Sequence, residues 1–154
     1  VRVPMRNLRL FVCAVPLVLF SVGCDEKLSD LTGPTPNLSP TFSSIQKDIF
    51  STQDSSGRLA CSSCHLPGGA AAGTGLFLTD AATSYAALVG RGSRLKPGET
   101  LVIPGDPDNS YLVRKLEGGP NINGLRMPRN NGPFLTEGQM LVLRRWIKEG
   151  AANN

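Results

Sequence analysis

Histidine is nearly absent from this chain. There is one in 154 residues, alongside one tryptophan and two tyrosines. A lone imidazole cannot serve a metal cage and an acid–base relay at once. Charge is sparse too, at 18% of residues, against about a quarter in an ordinary globular chain. No Ser/His/Asp set, P-loop or dinucleotide fingerprint occurs, which removes the commonest acyl-transfer and nucleotide chemistries. No segment alternates apolar and polar residues for long enough to make a convincing strand. The net charge of +4 is local. Arg2, Arg6 and Arg9 fall in a first stretch without acid, and the rest of the chain holds 13 basic against 12 acidic residues. A near-neutral body lacks the sustained basic surface that phosphate binding needs, so no nucleic-acid partner is expected.

What is present is unevenly distributed. Gly and Pro total 29 residues, a loop-rich share short of the level that signals disorder. The length suits one small domain, and a core this rich in Gly gains from a cofactor or staple. Met5 to Arg9 is a short basic stretch, and the fourteen residues Leu10 to Gly23 follow without a charge. A membrane-spanning helix needs about 20 apolar residues, so residues 1–23 read as a secretory signal. The run ends in Ser21-Val-Gly-Cys24, which resembles the cleavage site of bacterial lipoproteins, although Ser21 stands where that site usually has Leu. The resemblance implies lipidation of Cys24. The protein would then sit in the exported bacterial cell envelope, on the periplasmic or cell-surface side, anchored to a membrane. An uncleaved N-terminal anchor would hold it there as well. Residues 25–43 are polar, with three prolines and no apolar period. With Cys24 they read as a flexible tether reaching about 25 Å. The folded domain is then expected over 44–152.

The cysteines divide by position. Cys13 leaves with the signal and Cys24 takes the lipid, so a framework of two disulfides fails. Cys61 and Cys64 remain, in Cys61-Ser62-Ser63-Cys64-His65. CxxCH is the attachment signature of one covalently held c-type haem (heme c). Two thiols three residues apart can each add to a vinyl group, and the adjacent His65 is then held under the iron as its proximal ligand. A thioredoxin-like dithiol would need a strand-then-helix setting, and a zinc site would need two further ligands. Methionine is the common partner to histidine in such iron sites. Met127 lies in the loop Gly124-Leu-Arg-Met127-Pro128, which can bend to present its sulfur. Met140 shares a helical face with Leu143 and Ile147, the spacing of a packing residue. Met127 is therefore the expected sixth ligand.

Helices are expected over Ser44–Phe50, with Ile45 and Ile49 on one face, and over Thr83–Val89, stopped by Gly90. A third opens at Asp106-Pro107, as cap and first helical residue, turns Tyr111, Leu112 and Leu116 inward, and ends at Gly118-Gly119. The last starts at the capping box Thr136-Glu-Gly-Gln139 and stops at Gly150.

Together these features resemble a class I cytochrome c domain. The segments Ile103-Pro-Gly-Asp-Pro-Asp-Asn-Ser-Tyr-Leu-Val-Arg-Lys-Leu116, Arg126-Met127-Pro128 and Trp146-Ile-Lys-Glu-Gly-Ala resemble, more narrowly, haem domains of bacterial envelope lipoproteins, including planctomycete-type cytochromes. The resemblance covers about residues 44–152. It implies an all-α, cytochrome c-like fold, with short helices and long Gly/Pro-rich loops around one covalent haem. It implies electron transfer, with Cys61 and Cys64 as attachments and His65 and Met127 as axial ligands. It also places Trp146 against the first helix, near Phe50 or Ile49, as core.

Arg91, Arg94 and Lys96 lie in a Gly-rich loop, where they are solvated or pair with haem propionates. Arg126 and Arg129 flank Met127 and would bias docking toward an acidic redox partner. Saturated His/Met ligation and no spare His favour an electron carrier exchanging electrons with a donor and an acceptor protein. An open-site haem enzyme or sensor, or a fixed haem subunit of a larger membrane complex, are the alternatives.

Overall fold

The computed structural model describes residues 33–35, 37–129 and 132–154. The segment read as a secretory signal, Cys13, Cys24, and residues 25–32 and 36 of the segment read as tether lie outside the described residues. Among the described residues the regular structure is helical, and only isolated bridges such as Val89 with Val102 pair extended backbone. The fold is all-α. No helix among the described residues is long and apolar enough to cross a membrane.

The first helix, α1 (Phe42–Ile45), runs into a π-helical turn over Gln46–Phe50. It starts two residues before the expected Ser44 because its donors find partners outside the local pattern. Thr41 Oγ1 accepts from the Ser44 amide, and Asn154 supplies the rest. The Asn154 side-chain oxygen accepts from the Phe42 amide at 2.9 Å, and its backbone oxygen accepts from that of Ser43 at 2.8 Å. First-turn amides have no intrahelical partner, so Asn154 does the work of a cap. Phe42, Ile45, Ile49 and Phe50 are all buried. The body also reaches upstream into the segment read as tether, since Leu38 is buried and Thr35 Oγ1 accepts from Gln139.

Helix α2 (Ala81–Leu88) is capped by Asp80, whose carboxylate accepts from the Thr83 amide at 2.9 Å. Helix α3 (Tyr111–Glu117) begins at Ser110, not at the expected Asp106-Pro107. Asp106 instead accepts from the amide of Asn109, closing a local turn that competes with a helix. The inward set holds: Tyr111, Leu112 and Leu116 are buried, with Val113 added. Gly118 ends the helix at φ +76°, where a Cβ would come within 2.7 Å of the Arg126 side chain. Glycine is required there on both counts.

Helix α4 (Glu137–Lys148) carries the complete capping box between Thr136 and Gln139. Its buried face includes Met140, Val142, Leu143, Trp146 and Ile147, so Met140 is a core residue, as its spacing suggested. Trp146 packs on α1 with Phe42 as a ring partner, at 5.2 Å between centroids, in the same cluster as Ile49 and Phe50. Phe42 also meets the rings of Phe50 and Tyr85 edge-on. Phe42 is thus the hub of α1, α2 and α4. Phe42→Ala is expected to cost about 3–5 kcal/mol in denaturant unfolding, while Leu141→Ala, half exposed on α4, stays within about 0.5 kcal/mol.

Candidate functional site

The Cys61-to-His65 segment is one tight turn. Cys61–Ser63 is 3₁₀-helical, and the Cys61 carbonyl accepts from the amides of Cys64 at 3.3 Å and His65 at 2.9 Å. Both thiols are free. Cys61 is half buried against the hydrophobic core, and Cys64 is exposed. Turning straight after His65 needs a close backbone approach at Gly69, where a Cβ would lie 2.5 Å from the Cys64 carbonyl oxygen.

His65 is fixed by its second nitrogen. Nδ1 lies 3.0 Å from the carbonyl oxygen of Leu76. A carbonyl only accepts, so Nδ1 carries the proton and Nε2 keeps its lone pair. This is how a protein orients an imidazole that is to bind a metal through Nε2. Burial lowers the His65 pKa from 6.5, with the Leu76 bond working the other way, and the ring stays neutral at neutral pH.

Met127 is tied to α3. Its amide donates to the Lys115 carbonyl at 3.0 Å, and Arg126 Nε donates to that of Leu116 at 2.7 Å. The Lys115 ammonium donates to the carbonyls of Asn123 and Leu125, gathering the loop ahead of Met127. The Met127 side chain packs, half buried, against the same hydrophobic cluster as Cys61. The structure therefore joins Cys61, Cys64 and His65 in one turn, and sets Met127 against the same core as Cys61. Met140 lies on the buried face of α4, inside the core cluster that Cys61 and Met127 pack against.

The flanking cations have local partners as well as solvent. Lys96 donates to the Asn121 carbonyl and lies 3.4 Å from Glu99, Arg94 lies over Gly75, and Arg126 stacks on Phe134 with 3.9 Å to its centroid. Arg91 and Arg129 are exposed.

Sequence reasoning passed over the pair just upstream. Arg58 and Asp54 are buried, with Arg58 Nε donating to the carboxylate at 2.9 Å. Burial works against the Asp54 charge, but the bond from Ser56 and the Arg58 cation outweigh it and hold the carboxyl below its usual 3.8. Their i, i+4 spacing was the available signal.

Among the described residues no three His, Cys, Asp or Glu side chains cluster to hold a metal ion. The turn thus offers two alkylatable thiols and one oriented imidazole, without a complete all-protein cage. No family model, curated protein or solved structure matches this chain.

The His65 ring protons are expected to titrate in NMR with a midpoint below 6.5. The unfolded chain then binds a proton that the folded chain refuses, so stability contributed by His65 is present above 6.5 and lost as pH falls toward the folded midpoint. A midpoint at or above 6.5 would contradict the buried, neutral ring.

Proposed function

We propose that this chain is a monohaem c-type cytochrome, a one-electron carrier with a cytochrome c-like fold. In this reading it is held to a bacterial envelope membrane through lipid on Cys24. The observation that carries the reading is the Cys61–His65 turn, with both thiols free and the imidazole Nδ1 engaged by Leu76. That donor set fits an iron porphyrin: Cys61 and Cys64 would hold it by two thioethers, and His65 Nε2 would ligate the iron. Bound there, the haem supplies reversible one-electron chemistry.

The remaining work belongs to the chain. The Leu76 carbonyl keeps the His65 ring in one tautomer and one orientation. Lys115 and the backbone of α3 hold the Met127 loop, so that its thioether would complete the iron's ligands. A thioether favours the ferrous state and raises the potential. The described residues around the turn contribute no second histidine, which favours transfer over acid–base catalysis.

Two variants separate the two methionines. Met127→Ala is expected to abolish the long-wavelength absorption band of sulfur–iron bonding and to let cyanide bind readily. Met127→His is expected to lower the potential by about 0.1 V, or about 2.3 kcal/mol for one electron. Met140→Leu should leave spectrum and potential almost unchanged, since it exchanges core side chains of similar volume. Loss of the band in Met140→Leu together with its survival in Met127→Ala would overturn the ligand assignment.

Cys24 has its own test. Cys24→Ser is expected to prevent metabolic labelling of the protein with palmitate and to release it from membranes, since stable anchoring needs acyl chains. Equal labelling and membrane retention in the variant would refute lipidation there.

A further inference from the structure

Arg58 is fully buried, and its guanidinium is spread over four acceptors. Nε donates to Asp54 at 2.9 Å, Nη1 to the carbonyls of Ile49 at 3.0 Å and Leu59 at 3.3 Å, and Nη2 to that of Asp48 at 3.3 Å. Asp48 and Ile49 sit in the last turn of the first helical segment, where carbonyls lack helical partners. Leu59 lies two residues before Cys61. The Cys61 thiol donates to the same Ile49 carbonyl, at 3.6 Å. Asp54 is held in turn by the Ser56 hydroxyl, by the Arg58 amide and, at 3.5 Å, by Gln139 of α4.

A buried ion pair is weak evidence for stability, because an apolar pair of equal volume often does as well. An apolar pair could not bolt the end of the first helical segment to the strand of backbone entering the Cys61 turn. Nor could it place a cation beside the Cys61 sulfur. Burial pushes the Cys61 thiol up to about 11, and the Arg58 cation is the charge that opposes the rise.

We propose that Arg58 is a positioning residue: its fork seats the Cys61 turn for cofactor attachment, and its charge, balanced by Asp54, sets the potential of the attached haem. The proposal rests on the reading of the chain as a c-type cytochrome. Attachment adds the Cys61 S–H across a vinyl group. The sulfur bonds one vinyl carbon, the hydrogen ends on the other, and no external oxidant or reductant is consumed. The Ile49 carbonyl loses the thiol donor in that step and keeps Arg58. A nearby cation favours the added electron and a nearby carboxylate opposes it, so removing either partner should move the potential in opposite directions.

The test uses the full chain, produced with haem-attachment machinery, and measures covalent haem per chain and the midpoint potential. Asp54→Asn keeps an oxygen at Oδ1 for the Ser56 hydroxyl and the Arg58 amide, replaces the Oδ2 acceptor of Arg58 Nε by an amide nitrogen, and removes one negative charge. At a fixed poise it is expected to raise the ferrous-to-ferric ratio about tenfold, equivalent to about 59 mV. Arg58→Met is expected to lower covalent loading severalfold and to shift the loaded fraction toward lower potential. If Arg58→Met does not fold, Asp54→Asn decides alone. Asp54→Asn at the parental potential, or potentials that move the same way in both variants, overturn the proposal. A parent that takes up no covalent haem overturns the cytochrome reading itself, which is a separate result.

Discussion

The packing of Phe42 is the contact on which the other elements depend. Its ring meets Trp146 of α4, Tyr85 of α2 and Phe50 at the end of its own helical segment. One side chain thereby fixes where three helical elements lie relative to one another. The short helices could not stand alone, since isolated helices below about 12–15 residues are marginal in water. The segment that bears Phe42 is bound at both ends: Asn154 accepts from its first amides, and Arg58 donates to its last carbonyls. The Cys61 turn leaves from that second end. A contact between rings in the core is in this way connected, through backbone, to the position of the two thiols.

The site is built from backbone constraints on long loops rather than from regular elements. His65 is oriented by a carbonyl in the loop that follows it, and that loop returns only because Gly69 lets the chain pass against the Cys64 carbonyl. Met127 is placed by carbonyls at the C-terminal end of α3 and by the reach of Lys115. Loops positioned by a packed scaffold are the usual carriers of function. Here the scaffold is small, and the bonds that hold the loops are correspondingly many.

Local chemistry was legible in the sequence, and long-range chemistry was not. The Thr136–Gln139 box and the glycine stops after α3 and α4 depend on residues within one turn of each other, and they stand where their pattern put them. The apolar spacing of Met140, Leu143 and Ile147 likewise identified a buried face. Asp106-Pro107 misled because an aspartate caps a helix and closes a turn with equal ease, and here Asn109 supplied the turn. The start of α1 depends on Asn154, more than a hundred residues away, and the burial of Leu38 depends on the whole core. The same holds at the site. Cys61, Cys64 and His65 are neighbours in sequence and form one turn. Arg58 and Asp54 were passed over because their burial depends on carbonyls freed at the end of a π turn that no periodicity announces.

In the proposed reading Cys61 and Cys64 would hold one haem covalently, and His65 would ligate its iron. Intact mass spectrometry of the protein purified from a haem-attaching host, followed by mapping of the peptide containing both cysteines, tests it most directly. The expected result is one added haem mass, carried wholly on that peptide, and its loss when both cysteines are replaced by alanine. An unmodified mass with two alkylatable thiols in the same preparation would contradict it.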